Sequence, residues 1–182
     1  MSEEAIKAVL DFWFVENGPK QWYSKDAAFD AAIRERFEGL VGQAARGELS
    51  DWRGTARGAL AEIIVLDQFP RNLYRDDARA FASDPIALDA AKKALEKTFD
   101  QALAESERTF MYLPFEHSEA AEDQETSLKL FSSLAGKSML EWGEKHKAII
   151  DRFGRYPHRN AALGRTSTDA EIAFLKEDGS SF

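Results

Sequence analysis

The stretch TARGALAEIIVLDQFPRNLYR, residues 55–75, decides the fold. Leu60, Ile63 and Ile64 share one side of a helix that starts after Ser50-Asp51 or Thr55. Phe69-Pro70 is expected to break it, because the residue before a proline is pushed out of the α region. Asp67 lies seven after Leu60, four after Ile63 and three after Ile64, so the helix turns it onto the apolar face. The macrodipole of a last turn disfavours a carboxylate there. Asp67 therefore requires a cationic or donor partner.

Working outward, the chain reads as helix throughout. Valine, isoleucine and threonine number only 4, 8 and 6, a thin supply for a sheet, while helix formers dominate. Ile6, Val9, Leu10, Trp13 and Phe14 place a helix over 3–16, with Phe12 and Val15 on its far side and Asn17-Gly18-Pro19 as its stop. Asp26 opens a second, with Phe29, Ile33, Phe37, Leu40, Val41 and Ala44 in one stripe and Gly47 after its end. Ser83-Asp84-Pro85 reads as a cap followed by proline in the first turn, with Leu88, Ala91, Leu95, Phe99 and Ala102 inward. A short helix over 105–113 is expected to stop at Pro114, and Ser118 to cap the next, which runs to about 135 with Leu128, Phe131 and Leu134 buried. The last long helix, 138–153, carries Met139, Trp142, Ile149, Ile150 and Phe153 and closes at Gly154; Thr168-Asp169-Ala170-Glu171 has the form of a capping box. The expectation is one all-α domain, 1–182, of seven to nine helices in antiparallel pairs.

Composition narrows the function. There are no cysteines, which removes disulfides, thiolate metal sites and cysteine nucleophiles and points to a reducing, cytoplasmic setting. No signal-peptide pattern opens the chain, and no run approaches the roughly 18 apolar residues of a membrane span. With 24 basic against 32 acidic side chains, the overall field repels nucleic acid and anionic membranes. The phosphate loops GxxxxGK[ST] and GxGxxG are absent, as is GxSxG, and no cofactor is expected.

The unusual chemistry sits in three polar segments, DQFPRNLYR (67–75), FEHSEAAEDQ (115–124) and DRFGRYPHRN (151–160). IIVLDQFPRN and AIIDRFGRYPHRN echo one another as helix ends. His146 falls on the inward stripe of its helix, four after Trp142 and three before Ile149, and Gln124 lies four before Leu128 on another. A core histidine held by one hydrogen bond and an acid–base group both fit His146. Arg155, His158, Arg159, Asn160 and Arg165 form the best ligand set, since guanidinium groups bind carboxylate or phosphate through two parallel hydrogen bonds. Arg152 adds to that basicity, and Arg71, Asn72 and Arg75 offer a second set. Against these stands a bland reading, in which the arginines and acids simply lock helix corners. A metal set of His117, Glu119 and Asp123, with or without His146, lacks supporting spacing, and no metal is expected.

The segments LDQFPRNLYR, FMYLPFEHSE followed by DQ, HxxIIxRFGRYPHRN and LGRTST, with VLDFWF near the start, together resemble a bacterial family of uncharacterised proteins, a domain of unknown function with a tetratricopeptide-like helical fold. The resemblance covers nearly the whole chain. It implies a TPR-like α-α superhelix, and it maps the family's recurring polar positions onto Asp67, Gln68, Arg71, Asn72, His117, Ser118, Glu119, Gln124, His146, Arg152, Arg155, His158, Arg159 and Asn160. Within Thr98-Phe99-Asp100 the resemblance leads one to expect a glycine before the aspartate, which leaves the helix boundary there open.

Three functional readings follow. The first is a binding module holding a small anionic ligand or peptide carboxylate. The second is an enzyme with His117 or His146 transferring a proton, Glu119 or Asp67 orienting it, and Arg71 or Arg159 holding the substrate's charge. The third is a scaffold. In each of the first two the three segments should converge on one site, with Asp67 partnered by an arginine of the 152–165 segment.

Overall fold

The computed structural model describes residues 2–180. Helix α1 (Ser2–Asp11) runs into a π turn (Phe12–Glu16), and a short α2 (Pro19–Trp22) leads to α3 (Ala27–Ala45). A 3-10 turn (Ser50–Gly54) precedes α4 (Ala56–Ile63), which continues through a second π turn (Ile64–Gln68) into α5 (Phe69–Leu73). Then come α6 (Asp84–Glu96), α7 (Glu105–His117), α8 (Ala121–Ser132), α9 (Ser138–Phe153) and α10 (Asp169–Phe174), with 3-10 turns at Ala78–Ala80, Phe99–Ala102 and Pro157–Arg159. With α4 and α5 counted as one unbroken rod, the described residues hold nine helices and no strand.

That rod is the axis of the molecule. It packs against α1, α3, α6 and α7, while α7, α8 and α9 follow one another as neighbours. Its start is as expected, with the Thr55 hydroxyl accepting the Gly58 N–H. Its end is not. Phe69 keeps α-helical angles (φ −59°, ψ −40°) and the helix passes through Pro70. The π turn explains this, since the Phe69 N–H reaches back five residues to Ile64 O, and the widened turn displaces the carbonyl that the proline ring would otherwise strike.

The other π turn moves a side chain. By inserting a residue at the end of the first helix it rotates Phe12 from the expected polar side into the core, where it stacks on Phe29 at 5.4 Å; Val15 stays exposed. On α6 the buried face is Ala87, Ala90, Ala91 and Ala94, one position round from the expected stripe. Leu88, Leu95 and Phe99 are only half-buried and Ala102 is exposed, because the small alanines let α6 lie close against α4 and α7. On α9 it is Gly143 that faces inward, while Trp142 is 45% exposed. A Cβ on Gly143 would sit 3.0 Å from Leu128 Cδ2 and 3.4 Å from Glu116 Oε2, so its absence brings α9 close to α7 and α8.

Helix α7 also continues past its proline, Pro114, as far as His117. Phe110, Met111, Tyr112, Leu113 and Phe115 are all buried, so tertiary packing covers every side of the helix and outweighs the local cost of proline. Two expected serine caps differ. Ser83 makes no side-chain cap bond, and Ser118 accepts the Ala120 N–H from outside α8. The Thr168–Glu171 capping box and the left-handed Gly154 after α9 are present as read.

Thr98 occupies the left-handed region at φ 56°, the conformation for which glycine is suited. A β-branched residue there carries a penalty of roughly 1–2 kcal/mol, against roughly 0.5–1 kcal/mol of extra unfolded-state entropy for glycine. Thr98→Gly should therefore raise the unfolding free energy by about 0.5–1 kcal/mol in chemical denaturation.

Candidate functional site

The continuation of two helices through their prolines builds the site. Asp67 lies inside the second π turn and is 1% exposed. Its Oδ1 is 2.7 Å from His117 Nδ1 and 3.3 Å from Arg71 Nη1, and its Oδ2 accepts from the Gln68 amide at 2.5 Å. Arg71, one turn on, also donates to the Asp67 carbonyl and grips Asp84 through two hydrogen bonds of 2.8 and 2.9 Å. Asp84 is the first residue of α6 and in turn meets Arg159 Nη1 at 3.3 Å. The same Nη1 donates to the His117 carbonyl at 3.0 Å, which closes a ring from Asp67 through Arg71, Asp84 and Arg159 back to His117. All three polar segments meet here. The cation directly on Asp67 is Arg71, whereas the 152–165 segment reaches it through Asp84, because the unbroken helix sets Arg71 four residues after Asp67 on the same face.

Tyr156 and Gln124 support this ring. The Tyr156 hydroxyl donates to the Glu116 carbonyl at 2.5 Å, and the Gln124 amide nitrogen donates to Glu116 O and Ser118 O at 2.6 Å each. Glu116, the residue before His117, is buried, with Oε1 3.6 Å from His146 Nδ1 and Oε2 without a hydrogen-bond partner. His146 Nδ1 donates to the Trp142 carbonyl, 2.9 Å away, and His158 lies beside the Tyr156 ring.

The remaining expected residues hold the frame. Asn72 and Arg75 both bind Asp30 on α3. Arg155 pairs with Glu171 of α10, and Glu119 pairs with Arg165 while accepting the Tyr156 N–H. Asn160 joins Arg165 to Ser167. Arg152 is exposed, 4.0 Å from Glu177. Asp123 binds Lys92 and the Ser118 hydroxyl. Among the described residues no group of three or more His, Asp or Glu side chains is arranged to hold a metal ion.

The electrostatics sort these groups. Burial pushes the Asp67 carboxyl up, but Arg71 and His117 outweigh it and hold Asp67 below the usual carboxylate range. Burial raises Glu116 to about 8, helped by the charge of Asp67. Burial and Arg71 lower His117; burial, His117 and Arg159 lower His146 to about 4; burial, Arg159, His146 and Arg71 lower His158 to about 3. At neutral pH the cluster thus holds an ionised Asp67 on Arg71, with neutral histidines and a protonated Glu116.

Nothing in the sequence alone marks Asp84, Glu116 or Tyr156 as site residues. Glu116 falls three after Leu113 and four after Tyr112, which marks an inward position only if α7 is read through Pro114. Asp84, between Ser83 and Pro85, looks in sequence like an ordinary first-turn acid.

Fold and site together define an all-helical protein with a buried His–Asp–Arg cluster where three helix ends meet. The chain belongs to the family described as "Bacterial protein of unknown function (DUF924)", which it matches over residues 9–179. It is 40% identical to a protein of unknown function from Agrobacterium tumefaciens whose structure is solved, with 97% of this chain and 99% of that one covered and a TM-score of 0.92. No curated protein matches. No helix among the described residues is long and apolar enough to cross a membrane.

Two stability predictions follow. Asp67→Ala leaves Arg71 with a buried, half-compensated charge and should cost on the order of 3–5 kcal/mol in urea unfolding. Glu116 binds its proton more tightly folded than unfolded, so stability falls as pH rises from its ordinary value of 4.5 to about 8. Glu116→Gln should remove that loss, so that its stability relative to the parent improves by a few kcal/mol between pH 5 and pH 8.5 (order of magnitude).

Proposed function

We propose that the cluster binds a small anionic group, a carboxylate or phosphate, on the outer edge of the Arg159 guanidinium. One observation carries this reading. The Arg159 side chain is 8% exposed, its Nη1 is engaged by Asp84 and the His117 carbonyl, and its buried Nε has no hydrogen-bond partner. Nη2 likewise meets no acceptor among the described residues, so the Nε–Nη2 edge, the one that pairs with planar oxyanions, is left open. A buried donor without a partner is rare and costs about 1–3 kcal/mol, which an anion would recover.

The surroundings favour an anion. The Arg159 guanidinium carbon stands 4.5 Å from the centre of the Tyr156 ring and 4.8 Å from that of Phe81, which fixes its plane. Burial and Arg71 both act against its charge, and Arg71 or Arg159 depresses each of His117, His146 and His158. Two arginines thus stand close together in a chain whose net charge is −8. Enclosure favours a ligand of few atoms. Two open clefts, of about 530 Å³ beside Ile6 and Trp52 and about 370 Å³ beside Trp142 and Phe174, lie elsewhere. A corner lock alone accounts for Asn72, Arg75, Arg155, Asn160 and Glu119, each of which has its partner, but not for the open edge of Arg159.

Thermal-shift and calorimetric titrations with small carboxylates and with inorganic phosphate, at matched ionic strength against chloride, test this. One class should stabilise the protein saturably, by about 2.7 kcal/mol at 100 times Kd. Arg159→Lys, which keeps the charge and loses the paired donors, should weaken binding at least tenfold. A protein indifferent to every anion, or an Arg159→Lys variant that binds as the parent does, refutes the assignment.

A further inference from the structure

Because Gly143 takes the inward position on α9, Trp142 is left 45% exposed, the only exposed tryptophan of the four. One exposed ring is ordinary on a protein surface, but this one borders the cleft of about 370 Å³ between α9 and α10. The rest of the apolar lining is Ala148, Ile149, Phe153 and Phe174. Trp142, Lys145, Ile149, Arg152 and Phe153 follow one another at helical spacing on that side of α9, so at about 1.5 Å per residue the cleft extends for roughly 16 Å along the helix. Phe174 of α10 forms the facing wall, its ring packed on that of Phe153 at 5.1 Å. None of these residues belongs to the ring of Asp67, Arg71, Asp84, Arg159 and His117.

The two ends of the cleft differ in charge. At the Phe153 end Arg152 lies over the Phe153 and Phe174 rings, 4.6 and 5.6 Å from their centres, and its charge is offset by Glu177 at 4.0 Å and by Asp178 in the lining. At the Trp142 end Lys145 Nζ stands 4.3 Å from the centre of the indole, and no described carboxylate comes within 4.0 Å of it. Lys147, two residues on, gives the contrast, held by Asp151 at 2.7 Å. The nearest acids in sequence, Glu141 and Glu144, do not line the cleft. One end is thus apolar with balanced charge, and the other presents a cation without a counter-charge. A molecule that matches both has an apolar body and one negative charge.

Size and wall chemistry narrow the body. A volume close to the lower limit of small-molecule sites, roughly 300 Å³, suits one or two rings and not a peptide. Aromatic side chains stand at both ends, and offset or edge-to-face ring pairs attract beyond the area they bury, which favours a flat ring over an alkyl chain. The geometry points to a second binding site on this protein, the α9–α10 cleft, which takes a small aromatic carboxylate with its ring against Trp142, Ile149 and Phe174 and its carboxylate on Lys145. The assignment does not depend on Arg159.

Calorimetric titration with 1-naphthoate, beside 1-naphthamide as the same rings without the charge, tests it. The acid should bind saturably at one site per chain, and the amide about threefold to fivefold more weakly, the effect of one exposed ion pair. Lys145→Gln should bring the acid down to the affinity of the amide. Ala148→Trp, at an exposed position on α9, should fill the cleft and weaken 1-naphthoate at least about tenfold while leaving the thermal unfolding midpoint where it was. The Trp142 indole N–H resonance, identified by its loss in Trp142→Phe, should shift along the titration. Arg159→Lys should change none of this, which separates the cleft from the anion site proposed above. Absence of binding, equal affinity for acid and amide, or binding that survives Ala148→Trp overturns the inference. So does self-association of the protein that Ala148→Trp abolishes, which would assign the cleft to a second copy of the chain.

Discussion

An ionised carboxylate sealed inside a helix is the constraint on which the rest of this structure depends. Asp67 sits inside the π turn that carries the helix past Pro70, and its charge is tolerable only because Arg71, His117 and Gln68 surround it. Each of those partners then imposes a demand of its own. Arg71 carries more positive charge than one shared carboxylate oxygen offsets, and the start of α6 supplies Asp84. His117 must reach Asp67, which requires α7 to run through Pro114. The carbonyl that ends α7 in turn receives Arg159 from the far corner. Four stretches of chain are fixed relative to one another by this single requirement.

That closure leaves an asymmetry. The inner half of the ring is saturated, with every oxygen of Asp67 and Asp84 engaged by at least one donor. Its outer half, at Arg159, is not. Structural networks tend toward full satisfaction, as the Arg155–Glu171 and Arg165–Glu119 pairs of the same C-terminal region illustrate. The unsatisfied donor stands at the one cation of the ring whose planar edge meets no carboxylate.

Much of the fold was legible in sequence, because periodicity and caps act locally. Asp26, Thr55 and Thr168 start helices where they were read to, and Gly154 ends one. The errors share a cause. Phe12, Pro70 and Pro114 each depend on a π turn or on burial from every side, neither of which is written in a window of neighbouring residues. The site was legible as a set of residue types and as an argument that Asp67 needed a cation. Its wiring was not. Asp84 resembled an ordinary first-turn acid, and Glu116 became an inward residue only once Pro114 ceased to be a stop. The Thr98-Phe99-Asp100 stretch is the converse, a departure visible in sequence as a missing glycine, although the left-handed backbone at Thr98 is not.

If the ring acts as one unit, its ends must be coupled although Asp67 and Arg159 share no direct bond. The measurement is a double-mutant cycle on Asp67→Asn and Arg159→Gln by equilibrium unfolding in urea at pH 7. A network transmitted through Arg71 and Asp84 predicts a coupling energy of about 0.5–3 kcal/mol, with the double variant losing less than the sum of the single losses. Losses that add to within about 0.3–0.5 kcal/mol would show two independent ion pairs and contradict the account.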